Sequence, residues 1–168
     1  IGLQALQANT TASNNTAVGY QALYSNTTGT GLTAIGQGAL YANTTGSFGV
    51  AVGQGAAGLN TTGQPVAVGT VALGVQTTPI GNTALGHNSL QSTTTGDNNT
   101  GIGRYALQAN TTASNNTAVG YQAGYSNVTG TDNSYFGRNA GYQNTGGSNT
   151  AIGAAALYAS GSGAGNVA

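Results

Sequence analysis

Residues 16–32 read TAVGYQALYSNTTGTGL, and the rest of the chain is this segment written again with variations. Anchored on the glycine of the T-A-V-G start, the equivalents are Gly2, Gly19, Gly36, Gly53, Gly69, Gly86, Gly103, Gly120, Gly137 and Gly153. Successive anchors lie 17, 17, 17, 16, 17, 17, 17, 17 and 16 residues apart. Such a unit cannot bury its apolar side chains alone and gains by lying on the next, so a fixed short period marks a stacked repeat. Residues 1–168 are expected to form one uncapped solenoid segment of ten coils.

Counting from the anchor as zero, positions −3 to −1 hold Thr16-Ala17-Val18, Thr33-Ala34-Ile35, Val50-Ala51-Val52 and their equivalents. β-Branched residues there favour a strand. A second run at +3 to +5, as in Ala22-Leu23-Tyr24 and Ala39-Leu40-Tyr41, is expected to give another. Asn-Thr-Thr-Gly at +7 to +10 is a cluster of turn formers whose Gly is free to take positive φ. The fold class is thus all-β, a parallel β-roll with two short strands per coil. Recurrent Gly and Asn-Thr-Thr would break any helix before three turns. Both one-residue deletions fall between +10 and −3, where Pro65 and Pro79 also sit, and this marks an outer corner.

Neighbouring strand residues point to opposite faces. Position −1 is large and apolar, so it is expected to fill the coil. Position −2 is then expected to face outward, with Ala17, Ala34, Ala51, Ala67, Ala84, Ala118 and Ala151 as a flat protomer interface. Identical residues stack into ladders: Asn at +7, Thr at +8 and Tyr at +5. Asn rungs can bond amide to amide and Tyr rungs can stack.

Composition removes several function classes. Only four of 168 residues are charged, Asp97, Arg104, Asp132 and Arg138, and there is no Cys, Met, Trp or Lys. Clustered cations for nucleic acid are missing, as is any apolar run of the roughly 18 residues that would cross a bilayer. No cofactor is implied. General acid–base chemistry needs titratable groups gathered in one cleft. Asp97 and Asp132 stand 35 residues apart on outer turns, so no enzyme activity is expected. Gly53-Gln54-Gly55-Ala56-Ala57-Gly58 spells G-x-G-x-x-G, but no helix follows and no acid lies near twenty positions on.

One column carries polar chemistry. At +1 of consecutive coils stand His87, Arg104, Tyr121 and Arg138, which hold both cations and the only His. This suits a glycan, sulfate or carboxylate, and it also suits tolerated surface substitution. Nine N-x-T sequons occur, at Asn9, Asn14, Asn26, Asn43, Asn60, Asn98, Asn110, Asn115 and Asn127, mostly generated by the Asn-Thr-Thr turn. Thr columns on a regular solenoid could order water as an ice-binding surface does. Adjacent Thr-Thr at +8 and +9 counts against this, since neighbours face opposite ways.

Thr33-Ala34-Ile35-Gly36-Gln37-Gly38-Ala39 and Thr150-Ala151-Ile152-Gly153-Ala154-Ala155-Ala156 resemble the head repeat of trimeric autotransporter adhesins and of related trimeric phage-tail fibres. The resemblance runs through all ten repeats, with a longer period and an inserted Asn-Thr-Thr-Gly turn here. It implies a left-handed parallel β-roll with three chains side by side. The expected function is a structural or adhesive extracellular fibre on a cell surface or virion, with an ice-binding solenoid or a glycan-binding module at a fibre tip as the alternatives. The expected partners are further copies of the chain, side by side or end to end, and cell-surface glycans. The chain begins at positions −1 and 0 and stops at −3 and −2 of a further coil, so a piece of a longer fibre or a head-to-tail filament subunit is expected.

Overall fold

The computed structural model describes residues 1–78 and 80–168, and Pro79 lies outside the described residues. Nine three-residue strands form one parallel sheet in chain order. They are β1 (Thr16–Val18), β2 (Thr33–Ile35), β3 (Val50–Val52), β4 (Val66–Val68), β5 (Thr83–Leu85), β6 (Thr100–Ile102), β7 (Thr117–Val119), β8 (Ser134–Phe136) and β9 (Thr150–Ile152). Each residue pairs with its repeat equivalent, so Ala17 faces Ala34 and Ala34 faces Ala51. The register survives both short coils, with Val50 opposite Val66 and Ser134 opposite Thr150. The missing residue is absorbed at the corner before the strand, as expected. There the Pro65 carbonyl accepts from the Val50 N–H at 2.8 Å. Nine strands span about 38 Å at the usual strand spacing of roughly 4.8 Å.

Among the described residues, each coil from the second on has one strand, not two. The run at +3 to +6 is still bonded from coil to coil: Leu23 N–H donates to Ala39 O at 3.0 Å, and Ser25 N–H to Tyr41 O at 3.1 Å. It is not a strand because the backbone there alternates in hand. Positions +2 and +4 take left-handed conformations, for instance Gln21 at φ 56 and Leu23 at φ 52, and so does −5 at Asn14 and Asn115. Twenty-two non-glycine residues carry positive φ among the described residues. Such conformations cost roughly 1–2 kcal/mol each for residues with a Cβ. Burial of the Leu side chains at +4, worth about 2–3 kcal/mol apiece, offsets that cost.

Inside and outside are the reverse of the sequence expectation. Ala34, Ala51, Ala67, Ala84, Ala118 and Ala151 are completely buried, and Ala17 nearly so. They pack against Ala at +3 and Leu at +4 within their own coil, so they cannot form a protomer interface. Position −1 lies outside instead, with Val18, Ile35, Leu85, Phe136 and Ile152 all exposed. The reason is space: a coil this flat has room across its interior for a methyl facing a Leu, and not for a second branched side chain.

The two departures from Ala at −2 are both compensated. Where Gly101 replaces Ala, Ser89 replaces Ala at +3, and the Ser89 hydroxyl donates to Gly101 O at 2.8 Å. Where Tyr135 replaces Ala, the flanking +4 residues are Gly124 and Gly141 instead of Leu. A Cβ on Gly124 would stand 2.7 Å from the Tyr135 ring, and one on Gly141 would stand 2.4 Å from it. Tyr135 fills the room that two leucines occupy elsewhere.

The other half of the interior is polar. Asn26, Asn43, Asn60, Asn110, Asn127 and Asn144 at +7 are buried, as are Asn82, Asn99, Asn116, Asn133 and Asn149 at −4. Amide-to-amide rungs run along the first column in its early coils, with Asn43 Nδ2 donating to Asn26 Oδ1 at 3.0 Å and Asn60 Nδ2 to Asn43 Oδ1 at 3.3 Å. Later rungs use hydroxyls, as when Asn110 Nδ2 donates to Thr93 Oγ1 at 3.4 Å. The second column serves backbone at the corners. Asn116 Oδ1 accepts from the Asn133 N–H at 3.0 Å, while Asn116 Nδ2 donates to Gly130 O at 2.9 Å. Pairing of this kind limits the cost of burying polar groups, and in these two columns Asn110 Oδ1 is left without a partner. The Gly at +10 is not a positive-φ residue. It is there because a Cβ on Gly29 would meet the Gly46 carbonyl oxygen of the next coil at 2.1 Å.

Candidate functional site

Two surfaces stand out on the rod. The first is the outer face of the sheet, where −3 and −1 side chains project together because alternate strand residues share a face. Its −1 column is aliphatic apart from Phe136, and its −3 column is Thr, Val or Ser. Neither column carries a charge in any of the nine strands.

The second surface holds the +1 column. His87, Arg104, Tyr121 and Arg138 are all exposed at successive coils, as the period requires. The structure adds Tyr105 at +2 and the Tyr ladder at +5 to this surface. The His87 ring meets Tyr105 edge-on at 5.5 Å between centroids, and Tyr105 meets Tyr121 at 6.3 Å and Tyr125 at 6.4 Å. Arg104 lies over the Tyr105 ring with Cζ 4.6 Å from its centroid, and its Nη2 donates to the Tyr105 hydroxyl at 2.8 Å. Beyond them Tyr125, Tyr142 and Tyr158 stack nearly parallel, 5.1 and 5.0 Å apart, a geometry repeated by Tyr24 and Tyr41 at 5.1 Å. Desolvation first, and then the phenols of Tyr158, Tyr125 and Tyr121, hold the Tyr142 phenol above its usual value.

The +5 ladder was visible in the sequence, yet its junction with the +1 column was not. Tyr105 is the link, and it occupies a position held elsewhere by Gln, Gly, Val, Asn and Ala, so no column signal announces it. Asp97 and Asp132 are apart from this surface. Asp97 Oδ1 accepts from the Ile80 N–H at 2.8 Å, and Asp132 Oδ1 from Asn115 Nδ2 at 3.1 Å.

The sequons divide by burial. Asn26, Asn43, Asn60, Asn110 and Asn127 are fully buried in the +7 column, so their amides are committed to the interior and cannot carry a sugar in the folded chain. Asn9, Asn14, Asn98 and Asn115 are exposed, the last three at the −5 corner. The Thr ladders are likewise sorted. At +8 the hydroxyls turn inward along the wall, as when Thr27 Oγ1 donates to Thr44 O at 3.0 Å and Thr94 Oγ1 to Thr111 O at 3.2 Å. At +9, Thr28, Thr45, Thr62, Thr95 and Thr112 are exposed. Comparison of the chain with protein-family models, with curated proteins and with solved structures finds no match.

Proposed function

We propose that this chain is a structural segment of an extracellular fibre, and that copies of it associate side by side through the outer face of the sheet. The observation that carries the reading is the −1 column, an apolar stripe that runs exposed or half-buried along an in-register rod. Two columns about 7 Å apart on a sheet about 38 Å long make a face of roughly 500 Å², allowing for side-chain width. The −1 stripe of this face is apolar and the −3 column beside it is mostly Thr, and an exposed apolar stripe that continues along a whole rod is a surface that often serves an interaction. Pairing two such faces removes about 1,000 Å², the lower end for a specific interface.

A second copy is the occupant that fits. Its columns repeat at the same step, so side chains of one rod fall between those of the other along the whole length, and no charge has to be matched or desolvated. Three copies, as the resemblance implies, would let each rod cover its stripe against two neighbours. The absence of Lys and the scarcity of Arg leave few sites for trypsin-like proteases, which suits an extracellular fibre.

Sedimentation velocity tests the reading. The chain should sediment as an oligomer at micromolar concentration, and Ile35→Thr with Leu85→Thr and Phe136→Thr should shift it toward monomer without loss of β structure. A wild-type chain that is monomeric at 100-fold higher concentration would overturn it.

One observation favours a second reading. On the outer face Thr at −3 and an aliphatic at −1 are separated by one residue, so both point to solvent in a flat two-column lattice. The adjacent Thr-Thr pair at +8 and +9 does not give such a lattice. A monomer that produces thermal hysteresis would establish an ice-binding face in place of the fibre contact.

A further inference from the structure

The chain's arginines and histidine are not spread along the rod. Both arginines, the only histidine and five of its nine tyrosines lie together on one flank over the last five coils. We propose that this flank binds an anionic polysaccharide laid along the rod axis, with Arg104, Tyr121 and Arg138 as its central contacts. The proposal is independent of side-by-side association through the sheet.

Arg104 is held ready. The Tyr105 ring lies under its guanidinium and the Tyr105 hydroxyl accepts from Nη2, so the remaining N–H donors are fixed in direction before a ligand arrives. A planar fork so fixed suits the two oxygens of a carboxylate or sulfate. Arg138 stands two coils further on in the same column, about 10 Å away, on the scale of two linked sugar rings. Tyr121 occupies the rung between them and is 42% exposed, which offers a ring to the sugar between two charged ones. The chain's two carboxylates are bonded elsewhere, so the positive charge of the flank is not cancelled locally.

The geometry argues against two other ligands. Nucleic acid carries a phosphate charge every ~1.7 Å along its duplex axis, far denser than two cations about 10 Å apart can match. Neutral glycans usually lie flat on aromatic faces. Here Tyr125, Tyr142 and Tyr158 cover one another's faces and present edges and hydroxyls, so charge has to supply the recognition.

Binding of the whole chain to immobilised dextran sulfate, polygalacturonate and uncharged dextran tests this. One or both anionic polymers should bind, in a manner that weakens with salt, and dextran should not; which of the two binds identifies the anionic group as sulfate or carboxylate. Arg104→Gln and Arg138→Gln should each weaken binding about 10-fold, and the double variant should abolish it. Arg104→Lys should not restore it, since a point charge lacks the fork. Tyr121→Ala should weaken binding about 5-fold and leave its salt dependence unchanged. Circular dichroism and sedimentation of each variant should match wild type, so that a loss is not one of folding or assembly. Equal binding of dextran, or wild-type affinity in the double arginine variant, would overturn the proposal.

Discussion

Replacing Tyr135 tests the interior most directly, because its coil is the one place where the Ala-against-Leu packing has been exchanged for a ring against two glycines. The Tyr135 hydroxyl is buried and has no hydrogen-bond partner. Leaving a buried hydroxyl unpaired costs about 1–3 kcal/mol, so Tyr135→Phe should stabilise the fold by about that amount. In a domain of this size 1 kcal/mol shifts the melting temperature by about 2–4 °C, so a rise of a few degrees is expected. Tyr135→Ala removes the ring as well. Loss of a core aromatic costs about 3–5 kcal/mol, and relief of the unpaired hydroxyl returns part of it, which leaves a net destabilisation of about 2 kcal/mol. Adding Gly124→Leu and Gly141→Leu to Tyr135→Ala rebuilds the common coil. Each Leu gains about 2–3 kcal/mol by burial and loses about 1–2 kcal/mol to its left-handed backbone, so the triple variant should recover about 2 kcal/mol. Against intact Tyr135 the same two leucines should be severely destabilising, since their Cβ atoms alone would stand 2.7 and 2.4 Å from the ring. Melting curves followed by circular dichroism measure all four. A triple variant less stable than Tyr135→Ala would refute the packing argument, and a Tyr135→Phe variant that melts lower than wild type would show that the hydroxyl is bonded.

Three more outcomes follow from the same structure. Burial holds the Tyr135 phenol above its ordinary value of 10.0, so the unfolded chain loses the proton more readily; stability should be level below pH about 10 and fall above it by up to about 1.4 kcal/mol per pH unit, and Tyr135→Phe should flatten that fall in denaturation series at alkaline pH. Gly36 takes φ 130, and a Cβ there would stand 2.5 Å from Gly53 O, so Gly36→Ala should destabilise by about 3 kcal/mol or more in urea titration. Expressed in a host that glycosylates N-x-T, the chain should carry sugar only among Asn9, Asn14, Asn98 and Asn115, and peptide mapping that finds a glycan on the buried Asn43 or Asn60 would contradict the fold.

The architecture was legible because the anchor glycines repeat and because each deletion fell where no strand could be disturbed. The side of the sheet was not legible from alternation alone. Ala17 and Val18 satisfy a two-residue period equally well with either one inside, and larger side chains are buried more often, so Val18 was the natural choice for the interior. The information that settles the matter is in the exceptions. Tyr135 coincides with Gly124 and Gly141, and Gly101 with Ser89, and such exchanges make sense only if −2 faces +3 and +4 across a narrow space. The second strand expected at +3 to +5 is absent for a different reason. Leu at +4 is an ordinary strand residue by propensity, and nothing in its chemistry announces a φ near 50. The neighbouring coils impose it, since Leu40 N–H must reach Ala56 O while its side chain turns inward. At the candidate glycan flank the +1 column followed from the period, whereas Arg104 resting on Tyr105 depended on rotamers that no repeat encodes.

The uniform pairing of each residue with its equivalent 16 or 17 positions away has a consequence for how the chain reaches this shape. Sheet pairing never joins distant parts of the sequence, so the loop closed at each step is the same short one, and its entropic cost does not grow as the rod lengthens. Assembly can start at any adjacent pair of coils and zip outward in both directions, each new coil docking on a finished edge. A nascent chain can therefore begin to order once two coils are clear of the ribosome, and adding or losing a whole coil leaves every other step of the reaction unchanged.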